Sequence, residues 1–259
     1  MPGASSTAVH ELRLDDGRAL VLRRYVWGGF LEDEPDAPER EVAALTYAAN
    51  RELHVPAIVA ADSRGDEIGD GIPAILMTRL PGRAKPDPNP DSLAAVAAEI
   101  HRSGGDGFDH DYFPWCRDTS TRPPNGCRDP ERWAEALDVW RTAEPRYEPR
   151  FIHRDFHPGN VLWSRGTLGG VVDWANACMG PPGLDVATCR WNLADWAGTA
   201  AADAFVAAYE QRSGHRHDPY WDIAKIVEDD WDDIDDPERV TQAEVFLADA
   251  MRRRLESTR

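Results

Sequence analysis

The string FIHRDFHPGNVLW, which runs from Phe151 to Trp163, is the strongest functional signal in the sequence, and GGVVDW follows it with Asp173. Apolar segments typical of β-strands flank both polar clusters. Phosphoryl transfer requires a carboxylate that orients the acceptor hydroxyl and oxygen ligands for Mg²⁺. We therefore expect Asp155 to accept or orient the proton of the attacking hydroxyl. We expect Asn160 and Asp173 to bind magnesium through their oxygen atoms.

The same loop permits a second interpretation, because His153, Asp155 and His157 alternate and side chains of these types bind Zn²⁺. A metal-dependent hydrolase is therefore an alternative. It leaves Asn160 and Asp173 without a role, so we rank it below phosphoryl transfer.

The composition restricts the class of protein before any motif is considered. The chain has 259 residues, of which 42% are hydrophobic, so it can bury the core of one large domain or of two lobes. A formal net charge of -17 argues against a nucleic acid or an anionic membrane as the partner. We expect a cytoplasmic protein with reduced cysteines, because no secretory signal or membrane-spanning run is evident.

The pattern of elements predicts an α+β protein with two lobes. Strand-like residues 8–14 and 18–26 surround a turn, a helix begins near Pro38, and two more β-rich segments cover 54–61 and 73–79. The proline-rich string LPGRAKPDPNP then marks a boundary. We place the N-terminal nucleotide-binding lobe at 1–79, a hinge at 80–90 and a larger, mainly helical lobe at 91–259.

Capping signals predict where the helices of the second lobe begin. Asp91 and Ser92 predict the start of a helix through His101, and Asp129-Pro130 predicts the start of another. From Leu184 to Leu255 the pattern favours helices interrupted near residue 198 and residues 213–214.

The catalytic string and its surroundings resemble the aminoglycoside phosphotransferase family, small-molecule kinases related in fold to the eukaryotic protein kinases. The shared features are the HxDxxxxN loop, the VDW string with Asp173, and GPPGLDVA with Asp185, a residue expected to brace the catalytic loop. MTRLPG, from Met77 to Gly82, resembles the family hinge whose backbone meets the adenine. The resemblance implies a protein-kinase-like fold that binds ATP or GTP with Mg²⁺ between its lobes.

The resemblance also implies a set of nucleotide-binding residues in the first lobe. Arg23 stands where related kinases place a strand lysine, and Glu41 stands where its helix partner belongs. A guanidinium can pair with both a carboxylate and a phosphate, so the role survives the change from Lys. Strand alternation places Arg24 on the opposite face. The implied nucleotide-binding residues are Ser5, Ser6, Thr7, Arg23, Glu41, Met77, Thr78 and Leu80.

The acceptor is expected to be a hydroxyl group of a small molecule, and an aminoglycoside or another cationic metabolite suits the acidic composition. That acceptor would imply a role in antibiotic resistance. Sugars, amino alcohols and macrolides stay open, and a non-catalytic pseudokinase is a further alternative. The absence of a GxxxxGK[ST] string excludes the P-loop NTPases. The acidic run from Glu228 to Glu238, and the loop with His215 and His217, are interpreted as solvated segments.

Overall fold

The computed structural model describes residues 7–85, 87–104, 107–114, 122–229, 231 and 236–257. The chain divides into two compact units. The first contains residues 1–85, 105–110 and 159–178, and the second contains 86–104, 111–158 and 179–259. The first unit includes the segment with Asn160 and Asp173, whereas the sequence prediction places this segment in the second lobe. The predicted division into lobes at 79 and 90 stays a prediction.

A four-stranded antiparallel sheet forms the main body of the first unit, in the order β1-β2-β4-β3. The strands are β1 (Ala8–Arg13), β2 (Ala19–Arg24), β3 (Ile58–Asp62) and β4 (Ala74–Thr78). The turn between β1 and β2 is closed by the Leu14 N–H, which donates to the Arg18 carbonyl at 2.9 Å. Gly17 there has a φ of 84°, a conformation that glycine adopts without a steric cost.

Two helices connect β2 to β3. Helix α2 (Ala37–Ala49) carries Pro38 in its first turn and buries Ala44, Leu45 and Ala48, so its helical spacing matches the sequence pattern. Helix α1 (Gly28–Asp33) lies between the predicted strand 18–26 and the predicted helix near Pro38, where the sequence predicts no element. Two glycines begin this short helix, and glycine disfavours helix, which explains why local propensity fails to predict it.

A second antiparallel sheet in the first unit carries the segment that leads to Asp173. Its strands, in the order β5-β7-β8, are β5 (Arg83–Ala84), β7 (Val161–Ser164) and β8 (Thr167–Val171). Gly82 brings the chain into this sheet with a φ of 98°, and a Cβ atom there would lie 2.4 Å from the Trp163 carbonyl oxygen. The proline-rich string therefore contributes a strand as well as a boundary.

The second unit contains the remaining helices: α3 (Pro90–Arg102), α4 (Pro130–Thr142), α5 (Pro182–Trp196), α6 (Thr199–Ser213), α7 (Tyr220–Val227) and α8 (Pro237–Ser257). Asp129 caps α4, as predicted, by accepting from the Arg132 N–H. The predicted cap of α3 is wrong: Asn89, rather than Asp91, accepts from the Ser92 N–H at 3.0 Å. Pro90 then takes the first helical position, which favours the earlier start.

The core of the second unit lies where α4, α5, α7 and α8 pack together. Trp133, Ile223, Ile226 and Leu247 are among its buried side chains. Two short strands, β6 (Arg150–Ile152) and β9 (Cys178–Gly180), pair as a separate sheet. Among the described residues, no helix has the length and apolar character needed to cross a membrane.

Candidate active site

The Glu41 carboxylate is the centre of a buried polar cluster in the first unit. Its Oε1 accepts from Arg23 Nη1 at 2.8 Å, and its Oε2 accepts from the Tyr25 hydroxyl. The backbone N–H of Trp174 also bonds to this carboxylate. Burial raises the pKa of the Tyr25 hydroxyl, so Tyr25 stays protonated and acts as the donor.

Arg23 connects Glu41 to Asp173. The same Nη1 atom lies 2.6 Å from Asp173 Oδ1. Burial opposes the charge of Arg23, but the two carboxylates outweigh it and raise the pKa of the guanidinium. Arg24, in contrast, pairs with Asp70 at the surface. Arg23 is therefore the strand cation that faces helix α2.

Asp173 and Asn160 lie next to each other through their backbones. The Val172 N–H donates to the Asn160 carbonyl at 2.9 Å, immediately before Asp173. The Asp173 side chain is 43% exposed, whereas Asn160 is buried. Asp173 also has a φ of 70°, which is uncommon for a residue other than glycine and is often associated with functional sites.

These two side chains fit a magnesium ion by their chemistry. Mg²⁺ prefers hard oxygen ligands and is usually bound by one or two protein side chains together with phosphate oxygens and water. Asn160 and Asp173 supply an amide and a carboxylate oxygen, and the exposed fraction of Asp173 leaves room for an ion. A buried donor at Arg23 Nε, which has no hydrogen-bond partner among the described residues, fits a phosphate oxygen.

The predicted hinge residues lie at the end of β4. The N–H of Thr78 donates to the Ala57 carbonyl, and the N–H of Arg79 donates to the Ala19 carbonyl. Met77 is buried. Within the described part of the chain the Leu80 N–H has no such partner, and its role toward an adenine stays a prediction.

The predicted phosphate-covering loop is described only in part. Ser5 and Ser6 lie outside the described residues. Thr7 is buried just before β1. The role of these residues stays a prediction.

In the second unit, the buried Asp185 carboxylate holds the backbone of the catalytic loop. Its Oδ2 accepts from the His153 N–H at 2.8 Å, and its Oδ1 accepts from the Arg154 N–H at 2.6 Å. Arg154 has a φ of 66°. Two charge-assisted hydrogen bonds therefore stabilise a strained residue directly before Asp155.

Two further side chains continue this network, and neither was predicted as a functional residue. His101 Nε2 lies 3.0 Å from Asp185 Oδ2, and His101 Nδ1 lies 2.8 Å from the Tyr209 hydroxyl. Burial raises the pKa of Tyr209, so its hydroxyl stays protonated. Both residues come from distant helices, so only a three-dimensional structure brings them together.

Asp155 lies beside His157 in the second unit. His157 Nε2 is 3.7 Å from Asp155 Oδ2, and the His157 ring packs edge-on against Trp196, with ring centroids 5.6 Å apart. Burial raises the pKa of Asp155, but the interaction with His157 outweighs it, so the pKa is lowered overall. Asp155 is consequently ionised at neutral pH, the state that accepts a proton.

The geometry does not favour the zinc alternative. His153 is fully buried, and its Nδ1 accepts from the Asp155 N–H at 3.3 Å. Across the described residues, no group of three or more His, Cys, Asp or Glu is arranged to hold a metal ion. His217 is not solvated as predicted: its ring is buried and Nε2 lies 3.0 Å from the buried Asp222.

The acidic run from residue 228 to 238 is also less solvated than predicted. Glu228 is buried and accepts from the Tyr112 hydroxyl at 2.9 Å and from Trp140 Nε1 at 3.2 Å. Trp231 is buried as well. Burial raises the pKa of Glu228. Residues 230 and 232–235 lie outside the described residues.

Comparison with known proteins identifies the family. A family model described as the phosphotransferase enzyme family matches residues 3–220. The chain therefore belongs to the phosphotransferase enzyme family, and the family predicted from the HxDxxxxN and VDW strings is confirmed.

A curated relative is similar in sequence. A homoserine kinase of Methylobacillus flagellatus is 29% identical over 185 residues. The match covers 67% of this chain but only 57% of that kinase's length. The chain thus spans less than two thirds of this relative.

Solved structures confirm the α+β fold class. A thermostable mutant of aminoglycoside phosphotransferase APH(4)-Ia matches with a TM-score of 0.65 at 16% identity, covering 96% of this chain and 93% of that one. Amicoumacin kinase hAmiN, in complex with AMP-PNP, Ca²⁺ and Ami, matches with a TM-score of 0.66 at 13% identity, covering 96% and 86%. The APH(4)-Ia protein is also known in a ternary complex with ADP and hygromycin B.

We predict that Asp185→Ala destabilises the protein strongly, because the N–H groups of His153 and Arg154 and the His101 ring lose their acceptor in a buried place. The free energy of unfolding is expected to fall by about 3 kcal/mol. Urea denaturation followed by circular dichroism measures it. Asp91→Ala is the matched control, because Asp91 is an exposed aspartate whose ion pair with Arg212 lies at the surface. An equal loss in both variants contradicts the bracing role.

We predict that His157→Ala raises the pKa of Asp155, because the variant removes the interaction that favours the ionised carboxylate and leaves the burial that disfavours it. Carbon-detected NMR titration of the aspartate carboxyls measures the pKa, with Asp155→Asn to assign the signal. His10→Ala, at an exposed site in β1, should leave the pKa unchanged. An unchanged or lowered pKa in His157→Ala disproves this assignment.

Proposed function

We propose that the protein transfers the γ-phosphate of ATP or GTP to a hydroxyl group of a small molecule. The observation that carries the proposal is the double ion pair of Arg23 with Glu41 and Asp173, in a chain of the phosphotransferase enzyme family. The ion pair joins the predicted phosphate-binding cation to a predicted metal ligand. Retention of both carboxylates, of Asn160 and of Asp155 argues against the pseudokinase alternative.

The first unit supplies the residues for nucleotide binding. The Leu80 N–H would donate to the adenine, and Arg23 would donate from its guanidinium to a phosphate oxygen. Glu41 holds Arg23 in its orientation. Asn160 and Asp173 would hold Mg²⁺, which neutralises the charge that develops on the transferred phosphoryl group.

The second unit supplies the acceptor-orienting residue. Asp155 is ionised at neutral pH, so it can accept a hydrogen bond from the acceptor hydroxyl and take its proton as transfer proceeds. Asp185 holds the loop backbone that precedes Asp155. His157 favours the charged form of Asp155. Because phosphoryl transfer depends mainly on positioning, the contacts of Asp185 and His157 support catalysis without taking part in bond changes.

For the acceptor we propose an aminoglycoside or another cationic metabolite as the first candidate. The net charge of -17 supports a cationic molecule, because a strongly acidic surface attracts it. An amino alcohol is the second candidate, and the 29% identity to a homoserine kinase favours it. Both candidates present a hydroxyl group and a protonated amine. The proposed role in antibiotic resistance depends on the first of them.

A phosphate-transfer screen distinguishes the acceptors. Aminoglycosides, macrolides, sugars and amino alcohols, including homoserine, are each incubated with the protein, Mg²⁺ and either ATP or GTP, and the phosphorylated product is identified by mass spectrometry. We expect product from an alcohol that carries a protonated amine. If no acceptor is phosphorylated although the nucleotide binds, the pseudokinase alternative replaces this proposal.

We predict that nucleotide stabilises the protein much more in the presence of a divalent cation than in EDTA. A ligand at about a hundred times its Kd adds about 2.7 kcal/mol to the free energy of unfolding, which corresponds to a rise in Tm of roughly 5–10 °C. Differential scanning fluorimetry with ATP measures the rise in Mg²⁺ and in EDTA. Stoichiometric zinc binding with no effect of nucleotide would instead point to the hydrolase.

We predict that Asp155→Ala lowers kcat by roughly 10²- to 10⁴-fold, the usual contribution of a positioned acid or base. The change in Tm produced by nucleotide should stay close to that of the wild type, because Asp155 orients the acceptor. Steady-state assays with the acceptor from the screen measure kcat, with Asp91→Ala as the control. Unchanged turnover in Asp155→Ala eliminates its assignment as the catalytic residue.

A further inference from the structure

Arg40, the neighbour of Glu41 in helix α2, is a buried guanidinium with three partners in the first unit. Its side chain is 3% exposed. Nε donates to the Ala175 carbonyl at 2.6 Å, Nη1 to the Asp36 carboxylate at 3.2 Å, and Nη2 to Glu34 at 2.8 Å. Since burying an unpaired charge is costly, this number of hydrogen bonds explains why Arg40 can be buried.

The Ala175 carbonyl lies two residues after Asp173, the residue proposed to bind metal. Asp173 has a φ of 70°, so its backbone conformation requires support from its surroundings. On one side, the Val172 N–H donates to the Asn160 carbonyl. On the other side, Arg40 holds Ala175. The strained residue is therefore fixed from both directions.

Helix α2 contacts this segment through two consecutive residues. Glu41 accepts from the Trp174 N–H, and Arg40 donates to the Ala175 carbonyl. Consecutive side chains on a helix point in different directions, so the two contacts constrain the segment from different sides. A rotation of the segment about the Glu41 bond would break the Arg40 bond. Together the two bonds restrain the backbone that carries the Asp173 side chain.

We propose that Arg40 is a positioning residue for the metal ligand Asp173, and that it acts through its hydrogen bond to the Ala175 carbonyl. The inference rests on the proposed function, in which Asp173 binds Mg²⁺ with the nucleotide. Loss of this bond lets the Asp173 carboxylate leave its orientation, and metal affinity falls. Nucleotide affinity without metal depends on Arg23 and the hinge, so it changes little.

The test uses full-length variants that separate the carbonyl bond from the ion pairs. Arg40→Met removes all three contacts. Arg40→Lys keeps an ion pair with the acidic side chains and loses the bond from Nε. Glu34→Gln weakens an ion pair and keeps the bond to Ala175. Arg64→Met is the matched control, because Arg64 also contacts helix α2, through an exposed ion pair with Glu39.

Two measurements follow metal binding in each variant. Mn²⁺ binding is measured by electron paramagnetic resonance in the presence of saturating AMP-PNP, and AMP-PNP binding is measured by calorimetry in EDTA. We expect Arg40→Met and Arg40→Lys to weaken Mn²⁺ binding about tenfold, the effect of one lost charge-assisted hydrogen bond. AMP-PNP binding in EDTA should be retained. Glu34→Gln and Arg64→Met should bind Mn²⁺ like the wild type.

The Mn²⁺ affinities of the variants and of the wild type distinguish a failure of the role proposed for Arg40 from a failure of the proposed function. Wild-type Mn²⁺ affinity in folded Arg40→Met overturns the inference and leaves the proposed function intact. If Arg40→Met does not fold, Arg40→Lys decides by the same criterion. An equal loss of affinity in Glu34→Gln overturns it too, because the ion pairs would then be responsible. If the wild type binds no Mn²⁺ with AMP-PNP, the proposed function fails and the inference fails with it.

Discussion

The buried Glu41 carboxylate is the interaction on which the proposed nucleotide site depends. It receives hydrogen bonds from Arg23, from the Tyr25 hydroxyl and from the Trp174 N–H. A carboxylate removed from water is stable only when its oxygens are paired, so each partner is also held in place by Glu41. Strand β2, helix α2 and the segment that carries Asp173, the proposed metal ligand, thereby meet at one charge. Arg23 also forms an ion pair with Asp173, so a movement of Arg23 would leave the Glu41 carboxylate without this partner.

The second unit uses the same physical arrangement at the catalytic loop. There the buried Asp185 accepts from two successive N–H groups, and the second belongs to Arg154, whose φ is 66°. Asp173, with a φ of 70°, has a comparable position beside Glu41 and Arg23. In each unit a buried carboxylate compensates for the cost of a strained residue, which is the proposed metal ligand itself in the first unit and the residue before Asp155 in the second. Rigid support of this kind suits phosphoryl transfer, in which positioning contributes most of the catalysis.

The sequence predicts the fold class and the local chemistry well, because both depend on short-range patterns. The pairing of Arg23 rather than Arg24 with the helix follows from strand alternation, and the Asp129 cap follows from its neighbours. The contacts of His101 with Tyr209 and of Arg40 with Ala175 could not be predicted, since each joins residues far apart in the chain. A histidine or an arginine on a helix gives no local signal of its partner.

The identity of the acceptor is harder to predict from the sequence than the type of reaction. The proposed catalytic and metal-binding residues lie in two short strings, whereas no comparable string marks the residues that would bind the acceptor. The charge of -17 suggests a cationic acceptor only to the extent that its carboxylates are accessible. Glu228 is an acidic residue that burial and two hydrogen bonds withdraw from solvent, so it contributes to packing more than to attraction. Net charge therefore overstates the acidic surface, so it favours an aminoglycoside over an amino alcohol less strongly than the count of charges suggests.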